Sequence, residues 1–337
     1  MEQITLIIGD KYIYWSAVIR VMAAAATICA FLALYLRTGK NPAAALAGIP
    51  LAVVSSLVLS RLTSWYFHPE STLEAALNFN SPGGFALVGV FAGCFLTAVF
   101  LRLVKLTDNL PQLLDCMAVS GALGIAAGRL SSAFNASDRG MILPEAVGFP
   151  WATVVQNPVS GMPEYRLATF LLQAMAAGLI FVILLLFTAG KREKKDGDAC
   201  ALFLLFYGAS QVMLDSTRYD ALHFRSNGFV GAVQVLSAAA MALSVILFAV
   251  RMVRAGGWKK WHGALWIFQA ACFGLAGYME YYVQRHGHEA AFAYSIMGAA
   301  LLGIILSSLL TRSRAAVEER NHDAWLLRIR RFQKEDT

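Results

Sequence analysis

Long apolar runs separated by short polar connections dominate the pattern. They fall at about residues 13–36, 44–66, 84–104, 112–134, 167–189, 199–214, 228–252, 264–283 and 290–311. A helix needs about 20 apolar residues to cross a bilayer core. Backbone groups in lipid must hydrogen-bond within their own segment or barrel, and the short-range alternation of a barrel is missing. The pattern therefore predicts an all-α, polytopic integral membrane helical bundle with about nine transmembrane helices. The sixth run is short, and its polar residues suggest a polar-faced helix continuing to Tyr219. Near Ile13 the first run lacks a basic leader and a small-residue cleavage pattern, so it reads as a retained span.

Composition agrees. Of the 337 residues, 58% are hydrophobic and 15% charged, against about 25% charged in soluble domains. The net charge of +7 does not indicate nucleic acid, because the basic residues flank the apolar runs. Nineteen of the 28 Lys and Arg residues fall in one alternating set of connections and the tail, and six in the other set. By the positive-inside rule the N-terminus lies outside and the C-terminus in the cytoplasm. The connection 136–166 then lies outside, and its prolines and glycines suggest an ordered cap. The basic tail 312–337 reads either as an interfacial helix or as a solvated segment.

Three arginines remain at membrane depth: Arg20, Arg61 and Arg129. A charged residue at the centre of a span costs roughly 2.5–3.5 kcal/mol on insertion scales. Either each snorkels to the headgroups, or the three converge on one anion, a task for which the planar guanidinium is suited. Arg129 is followed by Ser131, Ser132, Asn135, Ser137 and Asp138. Tyr207, Gln211, Asp215 and Arg218 follow at intervals of four, four and three, which predicts one helical face. That face reads either as a cavity wall or as a capping ion pair between Asp215 and Arg218. Gly83 and Gly84 precede the third run, where exposed backbone N–H groups can hold an anion. Asp115 either pairs with Lys105 or faces water. No HExxH, P-loop or GxSxG occurs, and the His286–His288 pair is too short a motif to assign a metal.

These residues resemble the prolipoprotein diacylglyceryl transferase family over about residues 10 to 255. Gly128-Arg129 opens that family's signature, Asn135 fits its second asparagine and Gly140 its closing glycine. Arg61 fits the second-span Ala-Arg-Leu motif, Gly83-Gly84 the His-Gly-Gly loop, and Tyr207-Gly208 the Tyr-Gly-x-x-Arg motif. Asp115 fits an aspartate ahead of the signature. Asp215, Arg218, Gln234 and Ser237 match later positions. The chain departs from the family at Pro82 for histidine, Ser132 for the first asparagine, Ser137 for glutamate with Asp138 adjacent, and Gln211 for arginine. The motif before the fifth span is replaced by PEYRLATF.

The resemblance implies transfer of a diacylglyceryl group from phosphatidylglycerol to the lipobox cysteine of a prolipoprotein signal peptide, with no metal or cofactor. On that reading Arg129, Tyr207, Arg218 and Asp138 are the catalytic candidates. Arg61, Arg20, Gly83, Gly84, Ser132, Asn135, Gly140 and Gln211 are the headgroup-binding candidates. The base is open among Asp138, Asp215 and His68. The alternative is a non-catalytic or repurposed paralogue that binds an anionic phospholipid or a lipoprotein precursor. Residues 1–255 form the expected transferase-like domain and 256–311 add two spans.

Overall fold

The computed structural model describes residues 4–8, 11–68, 72–77, 84–143, 147–148, 150–157, 161–190, 194–224, 227–286 and 289–335. Among them the expected spans appear as α1 (Trp15–Leu36), α2 (Pro42–Phe67), α4 (Leu87–Leu103), α5 (Leu110–Arg129), α6 (Thr169–Ala189), α7 (Asp198–Ser216), α8 (Ala232–Gly256), α9 (Lys260–Arg285) and α10 (Ala290–Glu335), with a short α3 (Leu73–Leu77) after α2. Seven of these are long and apolar enough to cross a membrane. α4 is shorter, at 17 residues, and α9 carries Gln269, Glu280 and Gln284. The protein is a multi-pass helical bundle.

Small residues let the helices approach closely, as is usual where lipid removes the hydrophobic drive between helices. A Cβ added at Gly89 would lie 2.3 Å from the Leu59 carbonyl oxygen, and one at Gly93 2.5 Å from the Ser56 nitrogen. α2 and α4 therefore meet backbone to backbone, with Ser55 Oγ 2.9 Å from Thr97 Oγ1. Gly208 plays the same part between α7 and α8, where a Cβ would meet the Ser237 carbonyl oxygen at 2.7 Å. The main apolar core joins Val119, Ala122, Leu184, Leu205, Met241 and Ile304.

Asp115 neither pairs with Lys105 nor faces open water. Its carboxylate accepts the backbone N–H groups of Gly197 and Cys200, each at 2.7 Å. Those donors belong to the first turn of α7, where unpaired N–H groups and the helix dipole favour a carboxylate. The tail reads differently as well: α10 runs unbroken from Ala290 to Glu335, so the last span and the basic segment are one helix.

At the end of the bundle where α5 and α7 finish lie three separate two-stranded sheets, one of them in the connection 136–166 expected to form a cap. β1 (Ile4–Ile8) pairs with β2 (Lys11–Tyr14), and β5 (His223–Phe224) with β6 (Asn227–Gly231), both antiparallel. β3 (Ala152–Gln156) pairs with β4 (Pro163–Leu167), from Ala152 opposite Leu167 to Gln156 opposite Pro163. The segment after Asp138 runs along the other edge of β4. Gly140 donates to Leu167 O at 2.8 Å, and Leu143 to Tyr165 O at 2.8 Å. It also bridges to Arg218 through Gly140. The signature segment is thus held between the cap and the end of α7.

Candidate functional site

Arg129 is the last residue of α5, and a 3-10 turn (Leu130–Phe134) follows it. Asn135 then shapes the chain. Its Oδ1 accepts the Ser137 backbone N–H at 3.0 Å and the Ser137 hydroxyl at 2.5 Å. This turn leads to Asp138, which adopts a left-handed φ of 57°, a region that Asp and Asn enter more readily than bulkier residues. The unusual backbone aims the Asp138 carboxylate inward. Oδ1 lies 2.5 Å from Arg129 Nη1 and 2.9 Å from Arg218 Nη2, and Oδ2 accepts the Ser132 hydroxyl at 2.7 Å.

Arg218 reaches the same point from beyond the end of α7. The helix stops at Ser216, so the expected face through Arg218 is not continuous helix. The side chain folds back instead, with Nη1 3.1 Å from Asp215 Oδ1 and Nη2 2.9 Å from Asp220 Oδ1. Asp220 ties the two segments together a second time, since its Oδ2 accepts the Asp138 backbone N–H at 2.9 Å. Tyr207, about two turns before Asp215 on α7, is buried, stacked on Phe203 and edge-on to Phe91, and its hydroxyl faces Arg129.

The electrostatics follow from this geometry. Burial alone would raise the Asp138 pKa, but Arg129 and Arg218 outweigh it and hold the carboxyl at about 2. Burial likewise works against the charge on Arg218, yet Asp138, Asp220 and Asp215 together push its pKa up. Both side chains are nearly enclosed, at 9% exposure for Arg218 and 13% for Asp138. Two guanidinium groups, one at the end of α5 and one beyond the end of α7, therefore converge on one oxyanion in buried, low-dielectric surroundings, where such contacts are strongest.

The other candidates are distributed around this centre. Arg20 touches it indirectly, with Nε 3.3 Å from Ser131 Oγ beside Arg129. Arg61 is buried near the end of α2 and sits over the Phe85 ring at 5.3 Å. That contact places it beside the segment that leads into α4. Gln211 is also turned elsewhere: it is fully buried and accepts a hydrogen bond from Gln173 of α6 at 3.0 Å. Gly140 stands where no side chain fits, since a Cβ would lie 2.4 Å from Thr169 Oγ1. Gly84 packs on the end of α2, where a Cβ would lie 2.5 Å from Ser64 Oγ. Gly83 and Pro82 lie outside the described residues. Arg166 is committed to Glu164 at 2.7 Å and to the Tyr219 ring at 4.1 Å.

Three participants escaped sequence reasoning. Gln173 was the most legible, as a lone amide within an otherwise apolar run. Asp220 carried only its spacing of two from Arg218. Arg139 was counted only among the loop cations, although it adjoins Asp138 in the signature.

A family model described as prolipoprotein diacylglyceryl transferase matches residues 3–250. The chain belongs to this family. Among curated relatives, the phosphatidylglycerol–prolipoprotein diacylglyceryl transferase of Streptococcus equi subsp. zooepidemicus is 26% identical over 178 residues, which is 52% of this chain and 66% of that protein. The chain thus spans just under two thirds of that relative. The enzyme of the same name from Lactococcus lactis subsp. cremoris is 25% identical over 267 residues, 75% of this chain and 96% of the relative. That of Streptococcus pyogenes serotype M5 is 25% identical over 194 residues, 57% of this chain and 73% of its own. The family match ends within α8, so α9 and α10 lie beyond it.

Proposed function

We propose that this protein transfers a diacylglyceryl group from phosphatidylglycerol to the cysteine thiol of a lipobox-bearing prolipoprotein. The observation that carries the reading is the meeting of Arg129 and Arg218 on one carboxylate, in a chain matched by the transferase family model over residues 3–250. In this reaction the thiolate sulfur forms a bond to the glyceryl carbon while that carbon's bond to the phosphate oxygen breaks. Glycerol phosphate departs with the electron pair, and the thiol proton goes to a base. A leaving group that gathers negative charge is stabilised by preorganised cations. Arg129 and Arg218 supply these, and Tyr207 orients Arg129. Arg20, Ser132, Asn135 and Gly140 shape the turn that carries Asp138, and Arg61 with Gly84 forms the neighbouring wall. Following the charge distribution along the chain, this site faces outward and the C-terminus lies in the cytoplasm.

For the base, His68 is the best supported of the three candidates. Its Nδ1 lies 2.7 Å from the Ser64 carbonyl oxygen. A carbonyl oxygen accepts only from a protonated nitrogen, so in the neutral ring the acceptor nitrogen would be Nε2. Asp138 is a poor base, because two arginines hold it at about 2, and Asp215 is committed to Arg218.

The test is transfer of labelled lipid to a lipobox peptide in reconstituted membranes, alongside complementation of a bacterium depleted of its own transferase. Wild type should support both, and Arg129→Ala should abolish turnover. Turnover unchanged in Arg129→Ala would reject the site. The second reading, a non-catalytic or repurposed paralogue that binds an anionic phospholipid or a lipoprotein precursor, is favoured by the neutral Gln173–Gln211 pair, which stands where the resemblance expects the arginine of the Tyr-Gly-x-x-Arg motif. Lipid binding without transfer, in a chain that reaches the membrane at normal abundance, would select it.

A further inference from the structure

Arg139 is buried at the site end and makes no ion pair among the described residues. It is 6% exposed, and its guanidinium lies 4.5 Å over the Phe170 ring. A single donor is used, Nη2 to the neutral carbonyl of Asn135 at 2.7 Å. Nε and Nη1 are enclosed and have no partner. The neighbouring carboxylates are already taken: Asp138 by Arg129 and Arg218, and Asp220 by Arg218.

The side chain has little freedom to leave. Its backbone carbonyl accepts the Tyr219 N–H at 2.8 Å, and the carbonyl before it accepts the Phe170 N–H at 3.0 Å. The chain therefore pins a buried charge with open donors beside the Arg129–Arg218 pair. An uncompensated buried charge is costly, and buried donors nearly always have partners. Arg129 Nε is enclosed and unpaired as well. Burial lowers the Arg139 pKa, whereas Asp138 and Asp220 act only partly against this.

We infer that Arg139 is a third ligand for the phosphate oxyanion of the bound lipid, its open donors completing a site that Arg129 and Arg218 begin. This deepens the functional reading above and rests on it. In the middle of α7, Gln211 forms a neutral amide pair with Gln173.

The shared chemistry is a phosphate oxyanion, which a lipid headgroup or free glycerol phosphate could supply. The full chain is purified in nonionic detergent, and thermal unfolding is followed with added short-chain phosphatidylglycerol, phosphatidylcholine or glycerol phosphate. Arg139→Met keeps the packing on Phe170 and removes the charge. Without anionic lipid, Arg139→Met should be at least as stable as wild type, because an unpaired buried charge is gone. With phosphatidylglycerol, its apparent affinity should fall about ten- to a hundredfold, the range for a hydrogen bond to a charged group. Arg139→Lys should recover part of it. A clear loss of stability in lipid-free Arg139→Met would show a structural role and overturn the inference. So would an unchanged response to phosphatidylglycerol. Glycerol phosphate protecting as well as the lipid would overturn the lipid assignment. If wild type itself fails to distinguish phosphatidylglycerol from phosphatidylcholine, the functional reading falls, whereas a preference kept in full by Arg139→Met removes Arg139 alone.

Discussion

Asp138→Asn isolates the charge at the centre of the site. The amide keeps the volume of the side chain but removes the anion that Arg129 and Arg218 share. Arg218 retains Asp215 at 3.1 Å and Asp220 at 2.9 Å, whereas Arg129 retains no ion pair among the described residues. Breaking a buried pair from one side costs about 3–5 kcal/mol. The carboxyl's own titration gives a second route. Its pKa of about 2 stands against about 3.9 for a free aspartate, worth roughly 2–3 kcal/mol. The two routes overlap near 3 kcal/mol, and at 13% exposure little of this is lost to solvent screening. In nonionic detergent Asp138→Asn should therefore unfold several degrees below wild type. Phosphatidylglycerol should restore more stability to the variant than to wild type, because the lipid phosphate meets two arginines with no carboxylate to displace. The measurement is thermal unfolding across a titration of short-chain phosphatidylglycerol. Equal melting of the two proteins without lipid, or equal gains with it, would show that carboxylate and phosphate do not compete for the same guanidinium edge.

Other outcomes follow from the same geometry. Gln211→Arg alone should lose about 3–5 kcal/mol, since position 211 is fully buried against an amide. Adding Gln173→Glu should return most of that loss, read as coupling in a double-mutant cycle; additive losses would deny the contact. Gly140→Ala should cost about 1–3 kcal/mol through overpacking against Thr169 and Leu167. Gly121→Ala, with nothing near its Cβ, should be neutral or gain about 0.5–1 kcal/mol in its helix; matching losses from denaturation curves would contradict this. Acid should expose Asp138 directly. Its folded pKa lies below the unfolded value, so its contribution is complete above about pH 4. It is lost as the pH falls through about 2, and Asp138→Asn should lack that part of the stability–pH curve.

The spans were legible because a lipid-facing backbone has one stable solution, and the apolar runs became helices within a few positions of their expected ends, except the last, whose helix runs on to Glu335. The Gly128-Arg129 signature and Arg218 were legible as chemistry because charge near an apolar run demands a partner. The partner itself was harder to identify. Asp138 reaches both arginines only through a left-handed backbone at φ 57°, which no spacing rule announces. The face through Tyr207, Gln211, Asp215 and Arg218 was sound as helical geometry, yet its members part company. Asp215 turns to Arg218, and Gln211 turns to α6. Periodicity fixes which residues share a face but not which neighbouring helix each one meets. Arg61 was assigned by depth and by its fit to the Ala-Arg-Leu motif, and neither says which neighbouring side chains it meets.

The two helices beyond the family match bear on the site through α7. At the far end, buried Asp198 meets Arg251 of α8 and, at 2.9 Å, Arg312 of α10, while Arg251 also holds Glu319 of α10 at 2.8 Å. At the near end, Ser216 and Tyr294 of α10 share a hydrogen bond of 3.0 Å. These anchors lie about 27 Å apart along the 19 residues of α7, close to the thickness of the hydrocarbon core. Asp115 fixes the same helix a third time by capping its first turn. A slide of α7 by one residue, about 1.5 Å, would break all three together, and each involves a buried or partly buried polar group that would be left without its partner. The register of Asp215 and Arg218 against Asp138 is thus set from both ends of the helix. α10 contributes to the site by holding α7 in place, even though none of its side chains touches the two arginines' shared carboxylate among the described contacts.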